Sequence, residues 1–172
     1  RSLKKNTIIN YQGNIEFNPF NFLLKINSKQ IDFDYFFKNL NLLNEVLLSK
    51  LLFKKNLYGK IMIETNDLSK AKLFNAANIN VNFQGGEINL NETVLTSNKI
   101  GNLKISDSKF IVENGVLIFQ GKSKLSIDNI NNFYKIFLMP KKYRFKLSSM
   151  DFIFQFNPSN GKFQIKRIFL FD

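Results

Sequence analysis

The side chains that could carry out chemistry in this chain are carboxylates, lysines and tyrosines. The 172 residues include no His and no Cys, which excludes a Ser-His-Asp triad, a cysteine nucleophile, a disulfide and a thiolate zinc site. The acidic residues are scattered singly, apart from Asp32 with Asp34. Since carboxylate catalysis uses paired acids with different environments, the spacing does not predict an enzyme.

Two short segments could either bind a ligand or have a purely structural role. Asp32 and Asp34 could bind a hard cation, but they lie where a helix should begin and we expect them to cap it. Gln84-Gly85-Gly86 is the only paired-glycine segment, and it lacks the Lys-Ser/Thr of a phosphate-binding loop. We expect a hairpin turn there, and neither a metal nor a cofactor in the protein.

The net charge of +12, from 25 Lys and Arg against 13 Asp and Glu, raises the question of a nucleic-acid partner. The lysines are spread along the whole chain, and Arg, which makes the bidentate contacts, is scarce. Lys, Asn, Ile and Phe all have A/T-rich codons, so base composition is one source of the charge. Lys141, Lys142 and Arg144 form the densest basic cluster, which we predict to contact anionic head groups or a partner.

Apolar and polar residues alternate with period two over most of the chain, which predicts half-buried antiparallel strands. Asn114-Gly115 between two such runs predicts a tight hairpin. The predicted strands are Thr7 to Phe17, Phe20 to Asn27, Leu57 to Thr65, Asn78 to Gln84, Gly86 to Leu95, Gly101 to Val112 and Gly115 to Ile127. A final hairpin alternates Phe152, Phe154 and Phe156 before its turn and Phe163, Ile165, Arg167, Phe169 and Phe171 after it.

Two segments change to helical spacing. Apolar residues recur at three and four between Asp32 and about Leu52, and again from Asp128 to about Leu138, where Pro140 prevents continuation. Gly and Pro are few, at 8 and 3, so no linker divides the chain. We predict one domain over residues 1–172, of the α+β class and mostly β: a curved, elongated antiparallel sheet of about nine strands with two helices on its apolar face.

The 20 Phe residues are the main indication of function. They could simply fill a core, but we expect two helices to leave part of such a sheet uncovered, and uncovered apolar surface usually binds something. An open face of Phe, Leu and Ile would suit acyl chains. The candidate residues for this face are Phe20, Phe22, Leu24, Ile26, Leu103, Ile105, Leu117, Phe119, Leu125, Ile127, Phe152, Phe154, Phe156, Phe163 and Ile165.

Several segments resemble the C-terminal region of the AsmA-like family, the group of Gram-negative envelope proteins that includes AsmA, YhdP and TamB. They are the run from Gly101 to Asp128, Asn132 to Phe137, Pro140-Lys-Lys and the final Phe-rich hairpin, together with the earlier Ile31-Asp32 and Leu57-Tyr-Gly-Lys-Ile-Met-Ile. The resemblance rests on the order and spacing of the strands and of Gly and Asp residues, and it covers most of the chain.

The resemblance implies a β-groove that carries phospholipids between the inner and outer membranes, without catalysis, in a periplasmic protein tethered to the inner membrane. No stretch here is long and apolar enough to be that tether, and because the chain starts at Arg1 we expect an excerpt of a longer protein. The resemblance also allows other envelope proteins as partners. Two alternatives stay open: an envelope scaffold domain with a fully packed core, and a basic nucleic-acid-binding domain.

Overall fold

The computed structural model describes residues 9–32 and 45–172. The first residues of the first predicted strand lie outside this range, as do Asp34 and much of the first predicted helix. The strands are β1 (Ile9–Phe17), β2 (Phe20–Ser28), β3 (Ile31–Asp32), β4 (Tyr58–Thr65), β5 (Leu68–Ser69), β6 (Ala76–Gln84), β7 (Glu87–Asn89), β8 (Val94–Ser97), β9 (Gly101–Glu113), β10 (Val116–Ile127), β11 (Ser149–Asn157) and β12 (Lys162–Phe171).

One ten-stranded sheet dominates the described residues, in the order β1-β2-β4-β6-β8-β9-β10-β11-β12, with β7 also paired to β6. The sheet is open, and its edges are β1 and β12. The prediction of a mostly β, α+β fold with about nine strands in one open sheet is confirmed. The sheet is mixed, however, because β2 and β4 are parallel while every other pair in it is antiparallel. The short strands β3 and β5 form a separate parallel pair.

Tight turns form where the sequence predicts them. Gly85 and Gly86 have φ of 61° and 90° between β6 and β7, and Asn114 and Gly115 have φ of 50° and 77° between β9 and β10. Positive φ at two successive positions matches the twist of a two-residue hairpin, and Gly or Asn adopts it at little cost. The Gln84-Gly85-Gly86 segment is therefore a hairpin turn, as predicted.

The predicted strand from Gly86 to Leu95 is divided into β7 and β8, with side chains completing the interrupted ladder. The Asn80 backbone N–H donates to Thr93 Oγ1 at 3.0 Å, and the Thr93 hydroxyl donates to the Asn80 carbonyl at 3.3 Å. On the other side, Ser108 Oγ accepts from the Leu90 backbone N–H at 2.9 Å. These bonds satisfy buried backbone groups that a missing strand pair would leave unpaired.

Helical segments pack on one face of the sheet. Residues 45–48 are helical (α1), followed by a 3₁₀ turn at Leu51–Phe53, and α2 covers Ile130–Ile136. Asn129, rather than Asp128, caps α2 by accepting a hydrogen bond from the Asn132 N–H at 3.0 Å. Within the described part of the chain, no helix has the length and apolar character needed to cross a bilayer.

Candidate functional site

The pairing register decides which side chains share a face of the sheet, because directly opposed residues point to the same side. Phe22 in β2 is opposite Gly59 in β4, which is opposite Phe83 in β6. Gly59 has no side chain, and the Phe22 ring occupies the space above it. The two rings therefore meet across β4, with their centroids 5.4 Å apart.

The same face continues into the C-terminal half of the sheet. Leu95 in β8 is opposite both Ala77 in β6 and Leu103 in β9. Leu125 in β10 is opposite Leu103 on one side and Met150 in β11 on the other. We call this side of the sheet the apolar face. The other side, the polar face, carries residues such as Asn78, Asn80, Asn82, Lys104, Lys122 and Lys124.

The register brings every candidate residue of the predicted acyl-chain surface to the apolar face, but burial varies among them. Some are buried, namely Leu117, Phe119, Leu125 and Phe154. Others are half-buried, namely Phe22, Leu24, Ile26, Leu103, Ile105, Ile127, Phe152 and Phe156. Phe20, Phe163 and Ile165 are exposed. The face is thus a packed core in its middle and open surface toward its edges.

Two hydrophobic clusters form the packed part. In one, Leu47 of α1 packs with Phe83, Ile88 and Leu117. In the other, Phe133 and Tyr134 of α2 pack with Ile100, Leu125 and Leu147. Each cluster lies under one of the two helical segments, so the helices close the apolar face where they sit on it.

Aromatic side chains run across the strands from both edges toward the first cluster. From β1, the ring centroids of Phe17, Phe20 and Phe22 follow one another at 6.2 and 6.3 Å. From β12, Phe163 stacks on Phe154 at 5.6 Å, Phe154 meets Phe119 at 5.3 Å, and Phe119 stacks on Phe110 at 4.7 Å. Phe17, Phe83 and Phe110 are absent from the sequence-based set, although the alternation of their strands could have identified them.

The C-terminal edge of the apolar face is uncovered. Every residue of β12 is exposed, and a register shift against Ile153 and Phe154 displaces Lys166 from the ladder. After this bulge, Ile168 and Leu170 continue the apolar face, whereas Arg167, Phe169 and Phe171 point to the polar face. The predicted uninterrupted alternation from Phe163 to Phe171 is therefore wrong beyond Ile165.

The N-terminal edge is uncovered in the same way. All of β1 is exposed, and Tyr11, Gly13 and Ile15 are opposite Ile26, Leu24 and Phe22 of β2. Phe17 at the end of the strand has 80% of its surface exposed. Exposed apolar side chains therefore occur at both lateral edges of the apolar face, whereas edge strands commonly carry charged residues that prevent association.

The basic cluster predicted from the sequence lies away from the strands, between α2 and β11. Lys141 and Lys142 belong to a 3₁₀ turn, Lys141–Tyr143, and are exposed together with Arg144. Arg144 Nε donates to the Met139 carbonyl at 3.0 Å, and the Arg144 guanidinium lies 5.3 Å from the centroid of the Tyr134 ring. The cluster is thus fixed to the end of α2.

The other polar candidates do not assemble into a reactive site. Asp32 lies in β3, where its carboxylate is 2.6 Å from Lys70 Nζ, and Asp34 is outside the described residues. Among the described residues, no group of three or more acids could hold a metal ion. A cleft of about 620 Å³ lies beside the β1–β2 turn, and its lining contains Tyr58 and Lys60 but no carboxylate.

Comparisons of the chain with protein-family models, with curated protein sequences and with solved structures gave no significant match. The AsmA-like resemblance therefore stays a prediction.

Proposed function

We propose that this domain is a non-enzymatic lipid-handling module whose apolar face guides phospholipid acyl chains. The observation that supports it is the exposure of the apolar face along β12, where Phe163, Ile165, Ile168 and Leu170 lie uncovered beside the buried ring of Phe154. Covering a large apolar side chain contributes about 1.5–3 kcal/mol, so leaving half of each of these exposed costs several kcal/mol that a ligand would recover.

The dimensions of the open surface suit an acyl chain. One leaflet supplies about half of the roughly 30 Å hydrocarbon core, so a single acyl chain is about 15 Å long. Strands rise about 3.3 Å per residue, so the apolar positions of β12 from Phe163 to Leu170 extend over about 20 Å, which is enough for one acyl chain lying along the strand. The polar face stays in water while the acyl chain is on the opposite side of the sheet.

The AsmA-like resemblance supplies the cellular setting of this proposal. In that setting the domain is periplasmic, belongs to a protein tethered to the inner membrane, and guides phospholipid toward the outer membrane. The exposed apolar side chains at β1 and at β12 support this reading, because a lipid path needs apolar surface at both lateral edges of the sheet. Outer-membrane homeostasis would be the physiological role.

Native mass spectrometry of the purified domain tests the proposal. We expect phospholipid to copurify with the wild-type chain, and much less with the variant Ile165→Glu, which places a carboxylate on the open part of the apolar face. Gln164→Glu is the matched control, since it introduces the same charge change on the adjacent residue of the polar face. If no lipid copurifies, or if both variants lose it equally, the proposal is wrong.

A scaffold domain with a packed core is the second candidate, and the complete burial of Leu117, at 0% exposure, favours it. Phe154→Asp cannot separate the two readings, because Phe154 is buried and a charge there should unfold the domain in both. Ile165 can separate them, since a carboxylate at an exposed position should be tolerated by the fold. A folded Ile165→Glu variant with the same bound mass as wild type would favour the scaffold.

A further inference from the structure

We infer that residues 135–146, which run from the last turn of α2 to shortly before β11, form a docking surface for anionic phospholipid bilayers. We call this segment the docking loop. It adds a membrane-contact step to the proposed function and rests on that proposal for the choice of lipid as the occupant. The inference itself comes from charge, exposure and backbone geometry within the loop.

The charge of the docking loop has one sign. The segment contains Lys135, Lys141, Lys142, Arg144 and Lys146 and no Asp or Glu. Elsewhere some lysines pair with acids, and on the polar face Lys104 pairs with Glu92 at 2.7 Å and Lys122 with Asp107 at 2.9 Å. Clustered cations without acids complement the negative surface of a bilayer with anionic lipid.

The same segment exposes large apolar side chains between the cations. Phe137, Tyr143 and Phe145 are about half exposed, and Leu138 has 86% of its surface exposed. Aromatic rings flanked by Lys and Arg are typical of protein surfaces at the interface between water and lipid, where the ring enters the acyl region and the cation stays with the head groups. An acidic protein surface without an apolar pocket would satisfy the cations but would leave the Leu138 side chain in water.

The backbone conformation and the exposure of Leu138 are the strongest indication of a binding role in the docking loop. Its φ is 50°, a left-handed conformation that Leu rarely adopts because its Cβ crowds the backbone. Asn or Gly would end α2 at lower cost, so an exposed Leu here is unfavourable in two ways. A strained position that displays an apolar tip indicates a binding role.

Hydrogen bonds hold the docking loop in shape. The Tyr134 hydroxyl donates to the Phe145 carbonyl, and the Phe145 N–H donates to the same hydroxyl at 3.1 Å. The Met139 N–H donates to the Tyr134 carbonyl at 2.9 Å. Since Tyr134 is buried in the cluster under α2, the loop is presented rigidly and loses little conformational entropy on binding.

Vesicle sedimentation tests the inference with variants matched in charge. The wild-type domain should bind vesicles of phosphatidylcholine with phosphatidylglycerol and not vesicles of phosphatidylcholine alone. The double variant Lys141→Gln with Lys142→Gln should bind about 25-fold more weakly, since each cation near an anionic surface contributes about fivefold. Lys54→Gln with Lys55→Gln removes an exposed lysine pair elsewhere and should change binding much less.

Leu138 provides two further tests. Leu138→Asn suits the left-handed backbone and removes only the apolar tip, so the domain should stay folded while vesicle binding falls about tenfold. The chain has no Trp, so Leu138→Trp makes a single fluorescent reporter, whose emission should shift to the blue with anionic vesicles. Asn114→Trp, at the opposite end of β10 and with the same φ of 50°, should not shift.

The outcomes separate this inference from the proposed function. Ile165→Glu should lose copurified lipid and still bind vesicles, whereas Leu138→Asn should keep copurified lipid and bind vesicles more weakly. The inference is overturned if both lysine pairs weaken vesicle binding equally, or if the Trp at 138 shows no shift with anionic vesicles. It is equally overturned if the domain ignores vesicles while its loop variants reduce retention on heparin, because the loop would then be a surface for soluble polyanions.

Discussion

Replacing Phe154 with Ala removes a buried aromatic ring from the C-terminal half of the apolar face. Phe154 is 3% exposed, and its ring meets those of Phe119 at 5.3 Å and Phe163 at 5.6 Å. Truncating a buried Phe to Ala costs about 3–5 kcal/mol. We therefore expect Phe154→Ala to lower the free energy of unfolding by about 4 kcal/mol.

Phe163→Ala is the matched comparison, because Phe163 is the stacking partner of Phe154 and is 53% exposed. Half-burial of a Phe side chain is worth about 1 kcal/mol, and the stacked pair adds about 0.5–1.5 kcal/mol. The expected loss is therefore about 2 kcal/mol. The double variant should lose less than the sum of the two, by the coupling energy of the stacked rings.

Urea unfolding followed by far-ultraviolet circular dichroism measures both losses, and an unchanged slope with denaturant would show that the unfolded states are comparable. The reasoning about a packed middle and an open edge is refuted if Phe163→Ala destabilises the domain as much as Phe154→Ala. It is also refuted if adding phospholipid stabilises Phe163→Ala as strongly as wild type, since Phe163 belongs to the proposed acyl-chain surface.

Three further substitutions test how the sheet and the docking loop are held together, each by the free energy of unfolding in urea. Gly59→Ala should cost about 2 kcal/mol or more, because a Cβ there would collide with the ring of Phe22; a neutral effect would contradict the crossing of β4 by that ring. Thr93→Val should cost about 1–3 kcal/mol, because it leaves the buried Asn80 N–H without its 3.0 Å acceptor; no loss would mean that the hydroxyl does not replace the ladder. Tyr134→Phe should cost about 1 kcal/mol and weaken vesicle binding. Unchanged vesicle binding would mean that the Tyr134 hydroxyl does not hold the docking loop in shape.

The face of each strand could be predicted from the sequence in most of the chain. Alternation of Phe, Leu and Ile with Asn and Lys is strong because the apolar and polar sets differ sharply in hydrophobicity, so the period of two is unambiguous. The candidates from Phe20 to Ile165 therefore share one face in the structure. Their burial could not be predicted, because it depends on where α1 and α2 lie on the sheet.

The features that the sequence did not predict arise from pairing between distant strands. The parallel pairing of β2 with β4 could not be predicted from their alternation, because a period of two residues shows which side of the sheet a side chain faces. It does not show which strand lies next to it or in which direction that strand runs. The bulge at Lys166 is set by the register against β11, so reading β12 alone placed Arg167 on the wrong face. The bonds between Asn80 and Thr93 likewise depend on two strands that are brought together only by folding.

The central claim, that an acyl chain lies on the apolar face where β12 is open, is tested most directly by photocrosslinking with a phospholipid that carries a photoreactive group at the end of its acyl chain. Peptide mass spectrometry then assigns the labelled residues. The proposal predicts labelling of Ile165, Ile168 and Leu170, with Gln164 and Arg167 on the polar face unlabelled. Equal labelling of both sides of β12, or labelling confined to the polar face, would contradict it.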